Sequence, residues 1–331
     1  MTLAIVVPCY NEAEMLPVSA PRLLSLVESM VSAGTVSSDS YILFVNDGSS
    51  DSTWRIISSL HESSPRFHGL NLACNVGHQN AIIAGMFTVA APCTPPHLSC
   101  TDSVTEPLWA VADAVVTIDA DLQDSLECIP RMVSDFMDGF DVVYGVRSSR
   151  KSDSFLKRFT AEAFYHFQSR LGLDTIYNHA DFRLMSRRAI MELARYDERN
   201  IYLRGIVPMM GYPYKIVEEE RLPRKSGRTK FSFSKMLSFA FDGISSFSIK
   251  PMYYILALGG ISVAIALVMA VYVIVSICTG RVIAGWASLM LSVWLVGGMV
   301  MVSVGLVGLY VGKIYIEAKH RPRYRISDHL Y

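Results

Sequence analysis

The chain has 331 residues, of which 51% are hydrophobic and 18% charged, and its formal net charge is zero. So high a hydrophobic fraction is unusual for a soluble enzyme, and the length suffices for a catalytic domain of about 200 residues plus a smaller appendage. The six cysteines show no CxxC pair or other metal-ligand spacing. We expect no signal peptide, because the start is not basic and the apolar run Leu3–Val7 is short.

Charge is distributed unevenly along the chain. Residues 1–146 carry 17 acidic and 4 basic side chains, whereas residues 147–331 carry 13 acidic and 26 basic ones. Two interpretations are open. The asymmetry is either chance with solvated faces, or a division in which acids hold a cation and bases hold phosphates and anionic lipid.

Short apolar runs alternate with helical patterns over the first 144 residues. The predicted strands are Leu3–Val7, Tyr41–Val45, Gly69–Cys74, Ala114–Ile118 and Asp141–Tyr144. The predicted helices are Pro21–Ala33, Ser52–Leu60, Ala81–Ala90 and Ile129–Met137. This alternation predicts an α/β fold with a mainly parallel sheet, whose ligands lie beyond the carboxyl ends of the strands. A Pro- and Ser-rich segment, Ala91–Ala112, interrupts the rhythm and is predicted to be a surface loop.

Four polar clusters follow four of these strands: Tyr10–Glu12, Asn46–Asp51, Asn75–Gly77 and Asp119–Asp124. In the last cluster, Asp119 and Asp121 are two residues apart, so their carboxylates converge and repel unless a cation lies between them. Gln123 adds a neutral oxygen. This oxygen-rich set suits Mg²⁺ or Mn²⁺, although an acidic pair on a loop is more often simply solvated. Asp124 with Glu127 predicts a capping box for the next helix.

The C-terminal half predicts a membrane attachment. Apolar residues at helical spacing in Ser232–Phe247 indicate an amphipathic helix, either at the membrane interface or packed on a core. Pro251–Gly280 and Val282–Gly312 are long enough to cross a bilayer, and only Arg281 is charged between residues 251 and 312. Basic residues lie before the first span and after the second one. By the positive-inside rule, this predicts that both termini are in the cytoplasm of a multi-pass inner-membrane protein. The glycines near residues 305–312 suit helix packing, within the hairpin or between subunits of a homo-oligomer.

The polar clusters resemble, in order, the signatures of glycosyltransferase family 2. They read Pro8-Cys9-Tyr10-Asn11-Glu12, Asn46-Asp47-Gly48-Ser49-Ser50-Asp51, Asn75-Val76-Gly77 and Asp119-Ala120-Asp121-Leu122-Gln123-Asp124. Asp181-Phe182-Arg183-Leu184, the basic stretch Arg221–Lys230 and the two apolar spans make the chain similar to the polyprenyl-phosphate glycosyltransferases of that family. It departs at Ser125-Leu126, where prolines are common, at Gly227-Arg228-Thr229-Lys230, and in the apparent insertion at residues 91–112.

The resemblance implies a GT-A fold, which is Rossmann-like, and four parts. These are a cytoplasmic catalytic domain over residues 1–230, an amphipathic interfacial helix over 231–249, a transmembrane hairpin over 250–312 and a basic cytoplasmic tail over 313–331.

The resemblance also implies roles for individual residues. The nucleotide-sugar would contact Pro8, Tyr10, Glu12, Asp47, Asn75, Gly77 and Asp119. Mg²⁺ or Mn²⁺ would be held by Asp119, Asp121 and Gln123. Asp181 and Asp121 would be the catalytic residues, with Asp181 as a base or an orienting group, unless it merely pairs with Arg183. The acceptor phosphate would contact Arg147, Arg150, Arg204, Arg221, Arg224 and Lys230.

The implied reaction is inverting transfer of a hexose from a nucleotide-sugar to a polyprenyl phosphate of the undecaprenyl type. The product would be a lipid-linked sugar for modification of cell-envelope glycans. UDP-glucose is the first candidate donor, and the sequence does not distinguish it from other nucleotide-sugars. A family 2 enzyme that elongates a polysaccharide is one alternative, and a non-catalytic membrane assembly module is another. We expect membrane lipid, but no nucleic acid, among the partners.

Overall fold

The computed structural model describes residues 1–90, 110–147, 179–199, 201–219, 250–279 and 285–331. These residues fall into two compact units, which are described in turn. The first contains the described residues up to 219 together with Arg321–Tyr331, and the second contains the described residues between 250 and 320.

The first unit is built on one eight-stranded sheet. Its strands are β1 (Leu3–Cys9), β2 (Tyr41–Asn46), β3 (Phe67–Leu72), β4 (Ala114–Thr117), β5 (Val142–Arg147), β6 (His179–Ser186), β7 (Tyr214–Glu219) and β8 (Ile326–Leu330). They lie in the order β7-β5-β6-β4-β1-β2-β3-β8. β1 is parallel to β2 and β4, β2 to β3, and β5 to β7, whereas β6 and β8 are antiparallel to their neighbours. The predicted α/β class with a mainly parallel sheet is therefore confirmed.

Helices cover both faces of this sheet. Those in the described part of the unit are α1 (Leu16–Ser32), α2 (Thr53–Ser63), α3 (His78–Ala90), α4 (Cys128–Met137), α5 (Arg187–Leu193) and α6 (Leu203–Met209). All of β1 is buried, as expected of a continuous apolar run in a central parallel strand. α3 approaches β1 and β2 closely, because a side chain at Gly85 would collide with Val6 and Val45. This contact sets the start of α3 beside the carboxyl ends of the strands.

The structure shifts several predicted boundaries. α1 begins at Leu16 rather than Pro21, because burial of Leu16 outweighs the hydrogen bond that Pro21 cannot donate. α3 begins at His78, before the apolar periodicity from which its start was predicted. The predicted capping box was wrong: α4 begins at Cys128, so that Glu127 is the N-cap and makes no side-chain capping bond.

The final residues of the chain add a strand that the sequence pattern did not predict. β8 pairs with β3 in the register Leu70 with His329 and Gly69 with Leu330. Beyond the paired residues, the backbone N–H of Ala73 donates to the carbonyl of Arg325 at 2.8 Å. β8 therefore covers an edge strand that would otherwise present unpaired backbone groups.

The second unit contains two long helices, α7 (Lys250–Cys278) and α8 (Trp286–Ala318). Within α8, Leu295–Ala318 is long and apolar enough to cross a membrane and is the one such segment among the described residues. The two helices touch, since the Ser262 hydroxyl lies 3.6 Å from the Met299 sulfur. The predicted amphipathic helix over 231–249 and the turn at Arg281 lie outside the described residues.

Candidate active site

Two loops at the carboxyl ends of β1 and β2 are joined by hydrogen bonds. The backbone N–H of Asn11 donates to the hydroxyl of Ser49 at 3.0 Å, and the Asn11 side-chain oxygen accepts from the N–H of Ser50 at 2.9 Å. The N–H of Glu12 donates to the hydroxyl of Thr53 at 3.0 Å. Asn11 has a φ of +54°, a conformation that asparagine tolerates better than most residues. The loops thus form one wall, on which Tyr10 is exposed.

Asp47 joins this wall to the loop after β3. One of its carboxylate oxygens accepts from the N–H of Val76 at 2.7 Å and the other from the N–H of Gly77 at 3.1 Å. Burial raises the pKa of Asp47, against the opposing effect of these two donors. Gly48 has a φ of +60°, and a Cβ there would lie 2.5 Å from the backbone nitrogen of Asn75. Only glycine allows the two loops to approach so closely.

The acidic motif lies directly after β4, in a turn where Leu122 has a φ of +48°. Such a conformation is rare for leucine and is typical of functional turns. Asp121 accepts from the N–H of Gln123 at 3.2 Å. Burial raises the pKa of Asp119 to about 6, with added effects of the nearby acids (Asp124, Asp181 and Asp121) and an opposing effect of His78. Asp119 therefore lies among acids whose charges add to the effect of burial on its pKa.

Asp181, on β6, is held by two arginines. Its Oδ1 lies 2.9 Å from Nη2 of the buried Arg183, and its Oδ2 lies 3.1 Å from Nη2 of Arg204. Burial alone would raise the pKa of Asp181, but the charges of Arg204 and Arg183, with His78, hold it well below its usual range. Asp181 is consequently an ionised carboxylate and a weak base near neutral pH.

His78 lies between the two acidic positions and was not among the predicted site residues. Its Nε2 lies 3.4 Å from Oδ1 of Asp119 and 3.7 Å from Oδ2 of Asp181. The next residue, Gln79, accepts from the N–H of Leu203 at 2.9 Å and so joins α3 to α6, the helix that carries Arg204. The one available signal was position, since His78 directly follows the Asn75–Gly77 cluster.

The predicted basic cluster is described in part. The Arg204 side chain is 35% exposed and pairs with Asp181. Arg147 ends β5 on the sheet, and its side chain is not described. The remaining members lie outside the described residues: Arg150, Arg221, Arg224 and Lys230. Their convergence on an acceptor phosphate stays a prediction.

The predicted metal ligands are brought to one turn. Asp119 and Asp121 are partly exposed there and Gln123 is buried. Within the described ranges, no group of three or more His, Cys, Asp and Glu side chains has an arrangement suited to hold a metal ion. The turn therefore offers two carboxylates and an amide rather than a closed protein cage.

The chain is similar to known glycosyltransferases. The sequence profile of the family described as Glycosyl transferase family 2 matches residues 4–91 and 108–194, and the gap between the two stretches falls inside Ala91–Ala112. The chain is 42% identical to a Bacillus subtilis (strain 168) protein described as an uncharacterized glycosyltransferase, YkoT, over 99% of this chain and 92% of that protein.

Two further relatives are each 34% identical. One is the prophage bactoprenol glucosyl transferase homolog of Escherichia coli (strain K12), and the other is the bactoprenol glucosyl transferase of Shigella phage SfV. In both comparisons the match covers 99% of this chain and 99% of the relative. The chain therefore belongs to glycosyltransferase family 2.

Proposed function

We propose that this glycosyltransferase moves a hexose, with UDP-glucose as first candidate donor, onto a polyprenyl phosphate. The observation that carries the proposal is that an acidic turn and an aspartate bound by arginines lie close to the same histidine. The acidic turn with Asp119 and the arginine-held Asp181 both lie within 4 Å of one histidine nitrogen. Full-length similarity to relatives named for transfer to bactoprenol supports a lipid phosphate as the acceptor.

The proposed step is a direct displacement at the anomeric carbon of the sugar. An oxygen of the acceptor phosphate forms the new bond to that carbon, the bond to the nucleoside diphosphate breaks with its electron pair, and the configuration inverts. The second pKa of a phosphate monoester is about 6, so the acceptor is already a dianion near neutral pH. Asp181 would then orient the acceptor or the sugar through Arg204 rather than remove a proton.

A divalent cation fits the acidic turn. Asp119 lies near Asp121, Asp124 and Asp181, whose charges add to the effect of burial on its pKa, and a cation would neutralise these charges. Carboxylate and amide oxygens are the ligands that Mg²⁺ and Mn²⁺ favour. Asp119, Asp121 and Gln123 would hold it, and it would neutralise the charge that develops on the leaving diphosphate.

The proposed setting is the cytoplasmic face of the inner membrane. α7 and α8 would form a two-span hairpin, which is supported by the apolar length of both helices and by the contact between Ser262 and Met299. The residues predicted to hold the acceptor, including Arg204, would then contact the phosphate of the lipid. Positive charge on the outer flanks supports cytoplasmic placement of both termini.

The proposal is tested with membranes that contain the full chain. They are incubated with a panel of radiolabelled nucleotide-sugars, undecaprenyl phosphate and Mg²⁺. One donor should label the lipid fraction, and absence of labelled lipid with every donor would refute the proposed function. Asp121→Asn should abolish labelling, whereas the matched variant Asp135→Asn, which alters an ion pair on α4 with Lys215, should retain it. Substantial labelling with Asp121→Asn would refute the metal role.

A further inference from the structure

We infer that His78 is a substrate-contacting residue of the transfer site, whose Nε2–H donates to a phosphate oxygen between Asp119 and Asp181. The inference rests on the proposed function, because that function supplies the phosphates. Two phosphates meet at this point in the reaction: the diphosphate of the donor and the monoester of the acceptor. Either offers the same chemistry to the imidazole, an anionic oxygen that accepts a hydrogen bond.

The backbone on which His78 is mounted is fixed on both sides. Before it, the N–H groups of Val76 and Gly77 are bound by the Asp47 carboxylate. After it, the Asn80 side chain donates to the carbonyl of Val76 at 2.9 Å, and Gln79 is tied to α6. His78, the first residue of α3, therefore has a backbone that is held in place before a ligand binds.

The contacts of the imidazole leave its Nε2 able to donate a hydrogen bond to a ligand. Its Nε2 is 3.4 Å and 3.7 Å from the two aspartate oxygens, distances beyond the range of a well-formed N–H···O bond. One N–H cannot satisfy both acids, and 44% of the side chain is exposed. An oxygen placed between the acids would therefore gain a donor that neither aspartate fully engages.

A phosphate at this point needs donors and positive charge that offset the two aspartates. An ionised aspartate can accept hydrogen bonds but cannot donate them, so an anion beside Asp119 and Asp181 requires donors from other groups. Arg204 lies on one side, and His78 begins the 13-residue helix α3, whose N-terminal dipole favours negative charge. His78 lies within 4 Å of both acids and would add a side-chain donor between them.

The test uses the purified full-length protein in detergent with three variants. His78→Ala removes the donor, His78→Gln keeps an N–H at similar reach, and His320→Gln changes an exposed histidine elsewhere. Affinities are measured separately for UDP with Mg²⁺ and for a short-chain polyprenyl phosphate. His78→Ala should weaken one of them about tenfold, as expected for a hydrogen bond to a charged group. His78→Gln should recover most of the loss, and the ligand affected identifies the phosphate.

Three outcomes would overturn the inference. One is wild-type affinity of His78→Ala for both ligands. The second is equal weakening of both ligands in both His78 variants together with a lowered Tm, which would indicate a structural role. The third is the same loss in His320→Gln. If the wild type binds UDP yet transfers no sugar from any donor, the proposed function fails while the affinities still decide the role of His78.

Discussion

Arg204 contacts both carboxylate oxygens of Asp181, with Nη2 3.1 Å from Oδ2 and Nε 3.3 Å from Oδ1. The two residues lie on α6 and β6, so this bidentate contact fixes a helix to the strand beside the acidic turn. Arg183 adds a bond from Nη1 to the carbonyl of Leu203 at 3.4 Å, which holds the start of the same helix. Asp181 therefore organises this side of the site whether or not it accepts a proton.

Asp181→Asn should lower the transfer rate about 100-fold, because Arg204 loses its ionic anchor and the acceptor is misplaced. It should also destabilise the fold by about 3 kcal/mol, because the buried guanidinium of Arg183 loses its counter-charge. Initial rates and thermal unfolding of the purified protein measure the two effects. Asp135→Asn, which breaks a partly exposed pair, is the matched control and should change both little. Near wild-type transfer by Asp181→Asn would exclude the anchoring role.

Gly48→Ala should impair nucleotide binding, because its Cβ would collide with the backbone of Asn75 and Cys74. The two loops joined by Asp47 would then separate, and we expect UDP affinity to fall about tenfold or more, the equivalent of one lost hydrogen bond to a charged group. Gly34→Ala is the matched control, since Gly34 also has a positive φ but open space around it. In both variants the free energy of unfolding should fall by about 1–2 kcal/mol, because alanine is strained at a positive φ. Only Gly48→Ala should lower the affinity for UDP in a calorimetric titration. Equal affinities would show that the close approach is not required.

Asp141 should make the first unit more stable at neutral than at acidic pH. A hydrogen bond from Arg188, against the opposing effect of burial and with a further bond from Ser186, lowers the pKa of Asp141. The folded state binds this proton less tightly than the unfolded state. The contribution is therefore complete above the unfolded pKa of about 3.9 and is lost as pH falls through the lower folded value.

The measurement for Asp141 compares thermal unfolding of the wild type and Asp141→Asn at pH 6 and pH 3. The gap between their Tm values should be wide at pH 6 and should narrow at pH 3, because the unfolded carboxylate of the wild type then binds a proton more readily than the folded one. Asp138→Asn, at an exposed aspartate, should show no such narrowing. A gap that stays constant for Asp141→Asn would contradict the prediction.

Leu330→Asp should loosen the terminal strand. Leu330 packs against the core over Gly69, and β8 covers the edge of β3. Placing a charge at this half-buried position should lower the Tm by about 5 °C and make the tail accessible to a protease. Asp328→Ala, at an exposed position of the same strand, should leave both properties unchanged. An unaltered Tm and cleavage rate for Leu330→Asp would mean that β8 does not support the sheet.

The central strands could be predicted because their residues are apolar on both faces, as in Leu3–Val7 and Tyr41–Val45. β6 could not, because its buried residues include Arg183, whose burial is made acceptable only by Asp181 two residues away. β8 has a half-exposed polar sequence and owes its conformation to pairing with β3. Strand pairing between distant segments is not encoded in a local pattern.

The site was predictable where residue types carry their chemistry with them. The acidic turn at Asp119–Asp124 was found from residue type and spacing, and a place for Asp47 in the nucleotide pocket was predicted from the resemblance to family 2. The role of Asp47 in binding the amides of Val76 and Gly77 was not, because it depends on the approach of two loops. His78 was missed because a histidine after a glycine has no signature until β4 and β6 place two acids beside it.

The most direct test of the central claim is the chemical identity of the product formed by the purified protein from its preferred nucleotide-sugar and undecaprenyl phosphate. Mass spectrometry of the lipid extract should show the acceptor increased by one hexose with a single phosphate, and nucleoside diphosphate should be released in equal amount. Free hexose without modified lipid, or release of nucleoside monophosphate with a lipid diphosphate product, would contradict direct transfer of the sugar to the lipid phosphate.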